Sequence, residues 1–297
     1  MGRHQGMADA GRDEVAGRVL RAWDVFIERA ETVDLTRPSR LSGWRAQEIC
    51  VHLGCWEDHA AMADLIASAR AGGVGTPPDV DAVNARVTAA HRDAPREEVL
   101  AALRRNREAT ARYLAEEPED LDTALTVSVV GRIPLLSVVL GQAYELAVHA
   151  LDLVSCGAAP PPADVLQSGL AALADVTGAL AASMDISGRV TLATPDGGWA
   201  LASDGGGWTV QRVAPGRLDG PAVEAPAELL LDAASGRVNP VLAVALRRLK
   251  VHDVAGLLQL APIVQAAPGI PGGPILQLAA RTVGGAGGVL GRLFRKG

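Results

Sequence analysis

Aromatic residues are scarce: five Trp, two Tyr and two Phe make up 3% of the 297 residues. A sandwich of aromatic-rich strands suits such a chain poorly, whereas its abundant Ala, Val and Leu suit close-packed helices. Cysteine is sparse as well. Cys50, Cys55 and Cys156 are an odd number and too few for a disulfide framework, so reduced thiols are expected. Basic charge is not in excess: 28 Lys and Arg stand against 34 Asp and Glu, for a net charge of −6. No cationic stripe is left to neutralise phosphates, which argues against nucleic acid as a partner. The first residues lack the apolar stretch of a signal peptide. The longest uncharged run, Val254 to Ala280, is interrupted by Pro262, Pro268, Pro271 and Pro274, and such backbone cannot satisfy itself in lipid. The expectation is a cytoplasmic protein without a membrane partner, as a monomer or homodimer. There is no internal repeat, phosphate-cradling loop or dinucleotide fingerprint.

What is present is enough apolar material, 48% of residues against 21% charged, for a sizeable core and about two domains. Residues 13–34 carry Val15, Val19, Ala22, Trp23, Phe26, Ile27 and Ala30 at helical spacing. Ser42 offers an N-cap oxygen before a second helix expected from Trp44 to Ala71. A third helical region runs from Asp79 to Glu116 with a break at Pro95, and a fourth from Pro134 to Val154. This reads as a four-helix bundle over residues 12–156. A Pro-rich linker follows. A small α+β domain is expected over 162–265, with a helix over Ala163–Ser183 and strands over Arg189–Ala193, Trp199–Ala202 and Trp208–Val213. Asp196-Gly197-Gly198 and the glycines after Asp204 separate those strands as hairpin turns. Helices are expected over Glu224–Ala234 and Asp253–Val264. Residues 266–297 hold 12 Gly or Pro, which predicts a flexible tail.

The polar residues of the fourth helix carry the chemistry. Glu145 and His149 are i and i+4, Asp152 lies three residues further, and Gln142 precedes Glu145 on the same stripe of an otherwise apolar helix. Four polar groups on such a stripe are costly if buried separately and reasonable if they share a polar site. A carboxylate and an imidazole one turn apart also suit a borderline metal such as Zn²⁺. The other reading is a solvated face carrying a Glu–His pair. On a continuous second helix Glu48, His52, Cys55 and His59 would share an arc of about 60°, with Cys50 facing elsewhere. His52 and His59 would stand about 10 Å apart, too far for one ion. One ligand from this helix and two from the fourth is the arrangement that leaves coordination open for water or substrate. Cys55 reads as a small packing hydrophobe.

Leu41-Ser-Gly-Trp44-Arg-Ala-Gln-Glu-Ile-Cys-Val-His52-Leu resembles the helix-two signature of the DinB/YfiT-like metalloenzymes, and more narrowly the mycothiol-dependent maleylpyruvate isomerase family. Glu145-Leu-Ala-Val-His149-Ala-Leu-Asp152 resembles that family's second motif. The resemblance implies a DinB-like four-helix bundle holding zinc or another divalent metal through His52, Glu145 and His149. It also implies a C-terminal sterol-carrier-like α+β domain, in which Glu228 to Arg237 resembles a recurrent helix-to-Gly-Arg segment. Where the family pattern has Arg three residues before the ligand Glu, this chain has Gln142.

The expected activity follows from that resemblance. A metal-activated low-molecular-weight thiol, mycothiol, adds to an electrophilic small molecule, giving cis–trans isomerisation or S-transfer. Asp152 is expected as a proton-handling group, Arg237 as a carboxylate-binding catalytic group, and Gln142 and His59 as substrate- or cofactor-binding residues. The alternatives are a metal-assisted hydrolase using the same site, with His59 or Asp58 carrying protons, and a non-catalytic small-molecule or lipid-binding protein with a structural metal.

Overall fold

A computed structural model describes residues 6, 11–218, 220–260 and 262–263. The expected tail over 266–297 lies outside the described residues. The chain forms two compact units, one ending at Ala172 and one beginning at Leu173. This division falls inside a long helix that starts after the Pro160–Pro162 segment.

The N-terminal unit is helical. α1 (Arg12–Thr32) buries the stripe from Val15 to Ala30 that its periodicity marks. It packs against α5 (Arg96–Glu116) and α6 (Leu135–Val154). α6 is apolar nearly all round and buries Leu136, Leu140, Ala143, Leu146, Ala147, Ala150 and Leu153, as befits a central helix. α4 (Val80–His91) and α5 are parted at Pro95, which takes the N-cap position of α5. Proline forfeits no helical hydrogen bond there.

Two features depart from the sequence expectation. The second helix is not continuous to Ala71: α2 (Ala46–Leu53) stops at Gly54, and α3 (Ala61–Arg70) starts anew. Local apolar spacing is compatible with one long helix, but tertiary contacts prevent it. Trp56 folds back so that its indole N–H donates to the Val51 carbonyl at 2.9 Å, while the Cys55 N–H donates to Ala102 O at 3.0 Å. A Cβ on Gly54 would come within 2.9 Å of both Trp56 and Ala102, so glycine admits this close approach. The second departure is a hairpin, β1 (Leu125–Ser128) with β2 (Gly131–Pro134), in what reads as a plain connection. Its tip is Val129-Val130, with none of the Asn-Gly or Asp-Gly chemistry that announces a tight turn.

The start of α2 also differs in its cap. Arg45, not Ser42, is the N-cap residue, and its backbone N–H donates to Glu48 Oε2 at 2.8 Å. Glu48 is 2% exposed and also accepts from the Arg45 guanidinium at 2.7 Å.

α7 (Ala163–Ser183) is long and apolar enough to cross a bilayer by length and composition, but 89% of the stretch tested is buried inside the protein. The C-terminal unit is built on a five-stranded sheet of order β5-β4-β3-β6-β7. β3 (Ser187–Thr194), β4 (Gly197–Asp204) and β5 (Trp208–Val213) form an antiparallel meander. β6 (Ala222–Glu224) runs parallel to β3, and β7 (Lys250–His252) is antiparallel to β6. Between them lie α8 (Ala227–Ala234) and α9 (Pro240–Ala245). Ala222–Glu224 is therefore strand where the helical reading begins at Glu224, because Pro226 sets the helix start. α10 (Val254–Leu257) is a single turn followed by a 3-10 turn over Leu258–Leu260, shorter than the helix expected from Asp253.

The Glu48 cap gives a pH prediction. Burial pushes its carboxyl up, yet the hydrogen bonds and charge of Arg45 outweigh burial and hold it below its ordinary 4.5. A group depressed in the folded state stabilises fully above its unfolded pKa and loses that contribution as pH falls through the folded one. Glu48→Gln should lower stability at neutral pH and show a shallower decline between about pH 5 and pH 3. Denaturant titrations of both proteins at the two pH values measure this.

Candidate metal centre

The loop between α1 and α2 aims one side chain at α6 and another at His52 of α2. Ser39 Oγ donates to the Trp44 carbonyl at 2.8 Å and accepts from the Leu41 N–H at 3.1 Å, and the turn passes through Gly43 at φ 79. That left-handed conformation accounts for a glycine in Leu41-Ser-Gly-Trp44. Trp44 packs edge-on to His52, with ring centroids 5.6 Å apart. Arg40 is anchored by its backbone N–H on Ser155 Oγ at 3.1 Å, and its Nε donates to Asp152 Oδ1 at 2.6 Å.

His52 sits in the last turn of α2, and Glu145 and His149 face it from α6. One donor atom from each of the three lies within 4.8 Å of the others. The His52 and His149 rings are 5.2 Å apart at 68°. His149 Nε2 and Glu145 Oε2 are 3.6 Å apart. Bonds of about 2.0–2.2 Å around a tetrahedral ion place its ligand atoms roughly 3.3–3.6 Å apart, so the donor types suit a divalent ion and the His149–Glu145 separation matches two of its ligands. The cluster grades from buried His149 through half-buried His52 to exposed Glu145, so one side is open.

Behind it lies a hydrogen-bonded relay. His149 Nδ1 is 2.8 Å from Asp152 Oδ2, and Asp152 is fully buried. A buried carboxylate needs a cation and hydrogen bonds to offset its desolvation, and Arg40 meets Asp152 from the solvent side, its side chain 30% exposed. Engaging Nδ1 orients the His149 ring and leaves Nε2 facing His52 and Glu145, the usual relation between a metal-binding histidine and its carboxylate. Arg40 is the residue that sequence reasoning missed. It is 112 positions from Asp152, and no local pattern pairs them.

The other expected site residues are placed elsewhere. Gln142 is tied into the core: its Oε1 accepts from Trp23 Nε1 at 2.7 Å and Thr110 Oγ1 at 3.0 Å, and its Nε2 contacts Met62 Sδ at 3.4 Å. His59 leaves the helical stripe with the break at Gly54 and is backbone-paired with Trp56. Burial, and then the charge of Arg86, holds its imidazole below 6.5. Asp58 is held between His91 Nε2 at 2.9 Å and Arg86 at 3.0 Å. Cys55 also falls off the helix, and burial pushes the Cys50 thiol up to about 12, the behaviour of an inert packing residue. Arg237 lies in the C-terminal unit after α8, with Nη1 on the Ser235 carbonyl at 3.0 Å.

Residues 16–154, which contain the whole donor cluster, match the model of the mycothiol maleylpyruvate isomerase N-terminal domain. The N-terminal unit is similar to that family over most of its length. A crystal structure of the mycothiol-dependent maleylpyruvate isomerase shares the fold, with a TM-score of 0.54 at 18% identity over 78% of this chain and 92% of that one. A histidine-to-alanine mutant of that enzyme gives a TM-score of 0.54 at 17% identity, with the same coverage. No curated protein matches the chain by sequence. The family match takes in Arg40, Asp152 and Gln142 as well and leaves Arg237 outside it.

The Gln142 contacts predict a structural effect. Gln142→Leu removes the acceptor of a buried indole N–H and should cost about 1–3 kcal/mol of stability. Urea denaturation measures the loss, and the affinity of the cluster for added Zn²⁺ should stay unchanged.

Proposed function

We propose that this chain is a divalent-metal-dependent enzyme that uses mycothiol or a similar low-molecular-weight thiol on an electrophilic small molecule, as a maleylpyruvate-isomerase-like cis–trans isomerase or a thiol S-transferase. The observation that carries this reading is the convergence of His52, Glu145 and His149 within a segment of the mycothiol maleylpyruvate isomerase family. The three residues are the proposed ligands of zinc or another borderline ion. A divalent ion bound there supplies the positive charge that favours a thiolate over a thiol near neutral pH.

The chain's own residues do the positioning. Asp152 fixes the His149 ring through Nδ1, and Arg40 fixes Asp152. Trp44 backs His52 with an apolar ring. Glu145, the most exposed of the three, marks the side from which thiol and electrophile approach. Asp152 is the proposed proton-handling group, since it is hydrogen-bonded to an imidazole that faces the site. Gln142 acts as a strut that holds α6 against α1 and α5. The commitment of Asp58 to His91 and Arg86 weighs against its serving a metal-bound hydrolytic water.

On this reading the N-terminal unit is a DinB-like four-helix bundle, supported by the packing of α1 on α5 and α6 and of α2 on α5. The C-terminal unit is a sterol-carrier-like α+β domain, and Arg237 is its proposed carboxylate-binding residue. The protein is proposed to work in the cytoplasm, where its thiols stay reduced.

His52→Ala, Glu145→Ala and His149→Ala should each lose most of the bound metal by elemental analysis, and full occupancy in all three would overturn the site. Omitting thiol should abolish turnover while metal remains bound; turnover that persists without thiol identifies a hydrolase instead. Arg40→Gln should keep the ligands but weaken metal affinity by about 10–100-fold, measured by competition with a chelator.

A further inference from the structure

The sheet of the C-terminal unit carries a trough unrelated to the metal cluster. Its cause is legible in the strand register. Arg189, Ala202 and Thr209 form one cross-strand row of β3, β4 and β5, and Thr191, Ala200 and Gln211 form the next. Alternation on β4 turns Trp199 and Leu201 into the core, each 2% exposed, and leaves only the methyl groups of Ala200 and Ala202 on the other face. Longer polar side chains stand on both flanking strands. A low central strand between two higher ones makes a channel, and its volume is about 260 Å³. That is just below the range of most ligand pockets, about 300–1,000 Å³, which limits an occupant to a small molecule.

Its charge is one-sided. Arg189 lines it from β3, Arg217 from the loop after β5, and no carboxylate is among the described lining residues. In a chain of net charge −6, a trough with arginines and no acid among its described lining residues is a local excess of positive charge. Arg189 lies close to the next loop. Gly220 takes φ 92, and a Cβ there would come within 2.8 Å of Arg189 Nε and Nη2, so the backbone at residue 220 runs beside the guanidinium. A planar guanidinium at the rim of a small cleft, with hydroxyl and amide groups alongside, matches a carboxylate, which it binds through two parallel hydrogen bonds.

We propose that the trough between β3 and β5 is a binding site for a compact carboxylic acid, separate from the metal centre and independent of the activity assigned to it. Arg189 binds the carboxylate, Thr191 and Gln211 bind the remaining polar atoms, and the Ala200–Ala202 floor sets the size limit.

The test uses the full chain and two probes, succinate and inorganic phosphate, titrated by calorimetry at constant ionic strength. Succinate should bind saturably and more tightly than phosphate. Arg189→Gln should weaken it about tenfold or more, as expected for loss of a bidentate charged pair. Ala200→Phe should abolish binding by filling the floor. Circular dichroism should show both variants folded, and both positions are at or near the surface of the sheet. His52→Ala should bind succinate as the parent does. Non-saturating heats, phosphate binding as tight as succinate, or succinate binding that survives both trough substitutions would each overturn the proposal. Loss of succinate binding in His52→Ala would place the probe at the metal cluster and overturn it too.

Discussion

A fully buried carboxylate in the last turn of an apolar helix is the constraint around which the N-terminal unit is organised. Asp152 cannot sit at zero exposure among Leu, Val and Ala without partners, since the desolvation of an unpaired charge exceeds what packing returns. Its partners come from opposite directions: Arg40 from the α1–α2 loop and His149 from one turn earlier on α6. Satisfying Asp152 therefore ties that loop to α6 and sets the His149 ring in the orientation that faces His52. The same interaction that makes the burial tolerable pre-organises the donor cluster.

The turn around Gly43 and the break at Gly54 bracket this arrangement. The first lets the chain bring Arg40 and Trp44 to the site, and the second ends α2 at Leu53, so that His52 lies in a final turn. Had the helix continued, Cys55 and His59 would have extended the polar stripe beside His52. Instead Trp56 turns back on Val51, Cys55 is bonded to the backbone of α5, and the donor set narrows to one residue from α2 and two from α6. A distant likeness to solved isomerase structures accords with this fold, while the chemistry proposed for the cluster rests on its donor atoms together with the family match.

Much of this was legible in the residues. The stripe of α1, the apolar circumference of α6, the break at Pro95 and the three-stranded meander all follow from spacing and turn chemistry within a few residues. Glu145 and His149 stand out for the same reason: neighbours at i and i+4 meet on any helix. Illegible features depended on contacts far apart in sequence or lacked a local signature. The β1–β2 hairpin has valines at its tip, α2 ends through contacts with Trp56 and Ala102, and Gln142 faces Trp23 and Thr110.

The sequence by itself determined the helices α1, α5 and α6, the polar stripe of α6 and the two motifs that point to a metal, because each is written within one or two turns of chain. Only the tertiary structure decided that His52 alone of the α2 candidates meets that stripe, that Arg40 neutralises Asp152, and that Gln142 and His59 are engaged elsewhere. The reason is physical: periodicity is a property of neighbouring residues, whereas convergence depends on the path of the backbone between them. That path is set here by glycines that admit close approach and by a buried charge that needs a partner.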